Sequence, residues 1–133
     1  MARLVIDPPA LVRLCEDNRT IDSAHQLVAP NSLRTLALDL LLHRVQAGEL
    51  SKTEALALHE RMTETKMRLL GDRVSRRTAW VMALEHGWNS IEDAEYLAVA
   101  QLQADALITL SPALAGMAKG LVPLAAFNDL FRS

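Results

Sequence analysis

The stretch Leu4-Val5-Ile6-Asp7-Pro8-Pro9-Ala10-Leu11-Val12 decides how the chain is read. A short, unbroken apolar run is the pattern of a strand buried on both faces. It closes on a carboxylate, Asp7, and two prolines follow. Proline lacks an amide hydrogen and has a fixed φ, so it ends a ladder but suits the first turn of a helix. The stretch therefore predicts a strand over 4–7 and a helix to about residue 16, with Asp7 placed to cap it.

The same alternation continues down the chain. A second short run over 26–29 closes on Pro30, and Asn31 and Ser32 follow as caps for a long helix ending near Gly48. Ser51-Lys52-Thr53-Glu54 is a capping box opening a helix to about residue 64. Residues 67–70 read as a third strand, followed by Gly71-Asp72 and a helix that Gly87 terminates. Ser90-Ile91-Glu92-Asp93 reads as another capping box, with its helix running to about residue 103. Residues 106–109 form a fourth strand, Ser111-Pro112 starts a short helix, and 121–124 is a candidate fifth strand. Strands alternating with helices imply one α/β domain over 1–133, with a mainly parallel central sheet of four to five strands flanked by helices. Function in such sheets gathers at the carboxyl ends of the strands, where Asp7 lies.

Composition narrows the function classes. The 133 residues are 50% hydrophobic, enough for one core, and the formal net charge of −2 gives no global pull toward polyanions. Any nucleic-acid contact would need a local patch. The single cysteine, Cys15, excludes an internal disulfide and suits a reducing compartment. The amino terminus lacks a signal-peptide pattern, and no apolar run reaches the roughly 18 to 20 residues of a membrane span, so the expectation is a cytoplasmic protein without membrane contact. His25, His43, His59 and His86 show no metal-ligand spacing, and neither a phosphate loop nor a dinucleotide fingerprint is present.

The segment Gly87-Trp88-Asn89-Ser90-Ile91-Glu92-Asp93-Ala94-Glu95-Tyr96-Leu97-Ala98-Val99-Ala100, followed by Ala106-Leu107-Ile108-Thr109, is more specific. Its pattern Ser-x-x-Asp-Ala-x-Tyr-x-Ala-x-Ala, then a short strand ending in Thr, resembles the carboxy-terminal half of PIN domains, especially the VapC-like toxins of toxin–antitoxin pairs. Val5-Ile6-Asp7 resembles that family's first strand, Val28-Ala29-Pro30 its second, and the segment from Arg44 to Ser51 its paired-helix turn. The resemblance covers nearly the whole chain. It implies a PIN-like fold and a metal-dependent endoribonuclease, in which clustered carboxylates hold Mg²⁺ or Mn²⁺ and activate a water against a phosphodiester. It also implies RNA, an antitoxin-like protein and a homodimer mate as partners.

Carried over residue by residue, the resemblance places the family's first acid on Asp7 and its third on Asp93. The second falls on Ala37 and the fourth on Ser111, and the hydroxyl expected two residues after the first acid is Pro9. Asp39 lies near Ala37, but two residues turn a helix by about 200°, so it should face away. Glu92 and Glu95 flank Asp93 and could supply a ligand, though they leave its helical face. Both Asp7 and Asp93 also have plain readings as helix-capping acids.

Arg73, Arg76 and Arg77 open the helix after Asp72. They read either as a solvated face balanced by Asp72 and Glu85 or as contacts to RNA phosphates. The apolar helix from Ser32 to Ala47 fits either burial between sheet and helix or a dimer or partner surface. Two readings result. One is an acid-poor PIN-like protein whose catalysis is weak or lost and whose binding to RNA or protein is retained. The other is an active endoribonuclease with a rearranged acid cluster drawn from Asp7, Asp93 and one of Glu92, Glu95 or Asp39.

Overall fold

A computed structural model of the protein describes residues 2–131. Its centre is a four-stranded parallel sheet of β1 (Ala2–Ile6), β2 (His25–Pro30), β3 (Arg68–Leu70) and β4 (Ala106–Ile108), in the spatial order β3-β2-β1-β4. The register pairs Leu4 with Leu27 and with Ala106, so β1 is central and hydrogen-bonded on both sides. Leu4, Val5 and Ile6 are buried accordingly, as the unbroken apolar run requires. The α/β architecture anticipated from the sequence is therefore present, with all ladders parallel.

Six helices surround this sheet: α1 (Pro8–Asp17), α2 (Leu33–Gln46), α3 (Lys52–Glu64), α4 (Arg73–His86), α5 (Ile91–Gln103) and α6 (Pro112–Ala118). Helix α5 is the inner one. Ala94 and the whole run Tyr96–Ala100 are buried, because α5 touches β1, β2 and β4 while α4 packs against it from outside. A helix covered on nearly every side must be apolar on nearly every side, and its alanines permit the close approach. Helices α1, α2 and α3 pack together, and α2 contributes Leu33, Ala37 and Leu41 at helical spacing to the core. Leu36, Leu38 and Leu40 are half-buried against the core, and Leu42 remains 51% exposed. No helix among the described residues is long and apolar enough to cross a membrane.

Four local expectations need correction. Strand β1 starts at Ala2 and ends at Ile6, because Asp7 leaves the ladder to become the N-cap of α1. Ser32 occupies the N-cap of α2 in a helical conformation, and its side chain makes no capping bond. The candidate strand over 121–124 reduces to a single bridge between Leu124 and Leu107, flanked by Leu107 N–H to Pro123 O and Ala125 N–H to Leu107 O. Pro123 has no amide to extend that ladder, and the chain turns instead into a 3₁₀ turn at Phe127–Leu130. The box at the start of α5 is only half formed, with Ser90 capping Asp93 N–H and no bond in return.

Gly71 fixes the approach to α4. A Cβ on it would lie 2.1 Å from Asn31 Nδ2, and Asn31 N–H bonds to Leu70 O at 2.8 Å. The ends of β2 and β3 are held together by that backbone bond, and a side chain at 71 would require the Asn31 amide to move. Gly87, at φ +69°, closes α4 in the left-handed conformation its place after the helix suggests.

Candidate functional site at the carboxyl ends of the strands

Asp7 stands where β1 ends, and it is 1% exposed. Its backbone N–H donates to Ile108 O across the β1–β4 junction, at 3.3 Å. Its carboxylate is used more fully. Oδ1 accepts from Ala10 N–H at 2.9 Å, the N-cap bond of α1. Oδ2 accepts from the hydroxyl of Thr109 and from Leu110 N–H, the latter at 3.2 Å. Thr109 Oγ1 in turn accepts from Ser111 N–H at 3.0 Å, so the clamp reaches the start of α6. One side chain thus joins a strand end, a helix start and the β4–α6 turn.

This carboxylate has no ion-pair partner among the described residues. Burial pushes its pKa up, against the hydrogen bonds from Thr109, Ala10 and Leu110, which pull it down. The partial positive charge at the amino end of α1 is the compensation the fold provides.

Asp93 behaves differently. Ser90 Oγ accepts from Asp93 N–H at 3.2 Å, but the Asp93 carboxylate returns no bond to Ser90 N–H. Glu92 is exposed, while Asp93 and Glu95 are half-buried. All three, with Asp7, act electrostatically on the hydroxyl of Tyr96, one turn along α5 from Asp93. Tyr96 is 2% exposed, and its hydroxyl is buried without a hydrogen-bond partner among the described residues. Burial first, then Asp7, Glu95, Glu92 and Asp93, push the phenol far above its usual range.

The other expected positions are occupied by groups with structural duties. Ala37 is 0% exposed inside the core, and Asp39 is exposed on a different side of α2, as the 200° argument requires. Ser111 caps α6, its hydroxyl accepting from Leu114 N–H at 3.2 Å. Pro9 lies in the first turn of α1. Among the described residues, no group of three or more His, Cys, Asp or Glu is gathered closely enough to hold a metal ion. A hard divalent ion takes several oxygens at short range, and Asp7 offers oxygens that already accept three protein donors. The Asp7 carboxylate, as it is bonded here, does not fit Mg²⁺ or Mn²⁺.

Comparisons with known proteins add a fold relationship. PAE2754 of Pyrobaculum aerophilum has a solved structure similar to this one, with a TM-score of 0.74 and 20% identity over 96% of this chain and 91% of that chain. At this identity the likeness shows a shared fold. No family model matches the sequence, and no curated protein matches it.

At the edge strand β3, separated from β1 by β2, the chain turns into α4 with Asp72 as N-cap. Asp72 accepts from Ser75 N–H at 3.4 Å and from the Ser75 hydroxyl at 2.6 Å, which holds its carboxyl below the usual range. Asp72 is therefore spent on the helix rather than on the arginines. Arg73, Arg76 and Arg77 are exposed and form no ion pair among the described residues, with Glu85 or otherwise. Beside them Trp80 is 58% exposed.

Three residues of this region escape a reading of the sequence. Thr109 closes the motif, but nothing local marks it as the donor to Asp7. Tyr96 sits inside the motif as an apparent core aromatic. Trp80 does carry a usable signal, an aromatic three and four residues beyond Arg77 and Arg76, on the same side of a helix. The orphan phenol gives a simple expectation. An unsatisfied buried hydroxyl costs about 1 to 3 kcal/mol, so Tyr96→Phe should raise the melting temperature by a few degrees. A lowered melting temperature would mean that the hydroxyl is satisfied in solution.

Proposed function

We propose that this chain is an acid-poor PIN-like protein of the VapC-like kind, in which metal-dependent cleavage is weak or lost and binding of single-stranded RNA is retained. The observation that carries this reading is the full commitment of the Asp7 carboxylate to Thr109, Ala10 and Leu110. Buried Ala37 and capping Ser111 stand where the resemblance expects two further acids. RNA would meet α4 beside the strand ends. Three exposed arginines there suit a phosphate backbone, and an exposed tryptophan suits base stacking, which is worth about 1 to 3 kcal/mol per base. The proposed relationship adds an antitoxin-like partner or a dimer mate in the reducing cytoplasm, and Leu42 of α2 and Leu56 of α3, both more than half exposed, are apolar residues such a partner would cover.

Fluorescence anisotropy with a labelled single-stranded RNA tests the binding. Replacing Arg73, Arg76 and Arg77 together by Gln should weaken affinity at least about tenfold and flatten the salt dependence by about 0.7 for each phosphate the protein no longer neutralises. Trp80→Ala should weaken it with little change in that slope. Unchanged binding by the triple variant would refute the RNA reading.

A second reading rests on the α5 acids. The Asp93 carboxylate accepts no hydrogen bond from Ser90, and Asp93 and Glu95 are half-buried on either side of buried Ala94 while Glu92 is exposed. An active endoribonuclease would recruit a metal through Asp93 with Glu92 or Glu95, and Asp7 would have to exchange its present donors to join it. It predicts Mn²⁺-dependent RNA cleavage that Asp93→Asn abolishes.

A further inference from the structure

The opposite end of the sheet holds a cavity of about 940 Å³, within the upper range of sites for small molecules. It opens where β2 and β3 begin, against the end of α1 and the turn after α3, far along the strands from Asp7. Its walls carry Arg19, Arg61, Lys66 and Arg68 against the carboxylates of Asp22 and Glu64. The chain as a whole has a net charge of −2, so this local cation excess is a matter of placement and not of composition.

Two of the cations are held in place. Arg61 donates from Nη1 to Cys15 O at 2.9 Å, and the guanidinium of Arg19 lies 3.6 Å from the centre of the Phe131 ring. Each fork keeps further N–H donors, and a guanidinium fixed by its surroundings loses little freedom on meeting an oxyanion. Lys66 and Arg68 are exposed, form no ion pair among the described residues, and can close onto a ligand. His25 also lines the cavity, and its Nδ1 is buried without a hydrogen-bond partner among the described residues. That nitrogen is a polar group the fold leaves unsatisfied at the wall.

We infer that this cavity binds a phosphorylated small molecule of mononucleotide size, with Arg19, Arg61, Lys66 and Arg68 on its phosphate. An apolar floor including Ile21 and Met67 would receive the base, and Glu64 would accept from the sugar hydroxyls. The site is separate from the strand-end region and stands whether or not the chain binds or cuts RNA.

Calorimetry on the intact protein with adenosine monophosphate, adenosine and inorganic phosphate tests it. The expected result is saturable, submillimolar binding of the monophosphate, at least about tenfold tighter than adenosine or phosphate alone. The double variant Lys66→Gln/Arg68→Gln changes two exposed side chains, so it should fold normally, and it should lose at least about tenfold of that affinity. Replacing Arg76 and Arg77 by Gln should leave it unchanged. No saturable binding, inorganic phosphate binding as tightly as the nucleotide, or loss through Arg76 and Arg77 instead of Lys66 and Arg68 would overturn the inference.

Discussion

Asp7→Ala should lower stability by about 2 to 4 kcal/mol, a fall of about 10 °C in melting temperature for a domain of this size. The loss has two sources. Removing an N-cap carboxylate costs about 1 kcal/mol, and the Thr109 hydroxyl and Leu110 N–H lose their acceptor for about 1 to 3 kcal/mol more, after relief of the buried charge. Asp7→Asn should cost roughly half as much, because one amide oxygen can replace part of the carboxylate but its NH₂ faces donors.

The pH dependence distinguishes these effects. The folded-state pKa of Asp7 is raised above the ordinary value of 3.8, so the folded protein holds this proton more tightly than the unfolded chain. Between that ordinary value and the raised one, stability due to Asp7 falls as pH rises, and above the raised value it is level. Wild type therefore loses part of its advantage over Asp7→Asn as pH rises from about 4 toward neutrality. Thermal melts across this range measure it. If Asp7 were one of several crowded metal ligands, its neutralisation would relieve repulsion, and either variant would melt at or above wild type at neutral pH.

The second large effect comes from placing acids at the two positions where the proposed relationship expects them. Ala37→Glu places a carboxyl at a position with no exposure, and an unpaired buried charge should cost about 3 to 5 kcal/mol. Ser111→Asp should be nearly neutral, since aspartate caps a helix as well as serine. If both positions face the place where a PIN-like site would hold its metal, the double variant should recover on adding Mn²⁺. Saturation at about one hundred times the dissociation constant adds about 2.7 kcal/mol, near 10 °C, and RNA cleavage should appear with it. Wild type should show neither change. A double variant whose melting temperature ignores Mn²⁺ would remove Ala37 and Ser111 as replaced acids.

Much of the fold is legible in the sequence because its signals are local. The run Leu4-Val5-Ile6 followed by Pro8-Pro9 marks a strand and a helix start through backbone chemistry alone, and Ser51 with Glu54 forms the reciprocal box its spacing suggests. Residues 121–124 mislead because an apolar run beside a sheet edge looks like a strand until Pro123 withholds its amide. Ser32 and Asp93 have the right identities for capping, but conformation decides whether a side chain reaches, and neither makes the bond its position suggests. Ala37, Ser111 and Pro9 are visible by position as departures from the pattern that the proposed relationship would require. The actual wiring of Asp7 is not, since Thr109 and Asp7 are brought together only by the β1–β4 pairing, which no local pattern encodes.

The most direct test of whether Asp7 is a clamp or a metal ligand is a calorimetric titration of the wild-type protein with Mn²⁺. The clamp reading predicts no saturable binding up to millimolar metal. Binding with a dissociation constant below about 100 μM that Asp7→Asn abolishes would contradict it.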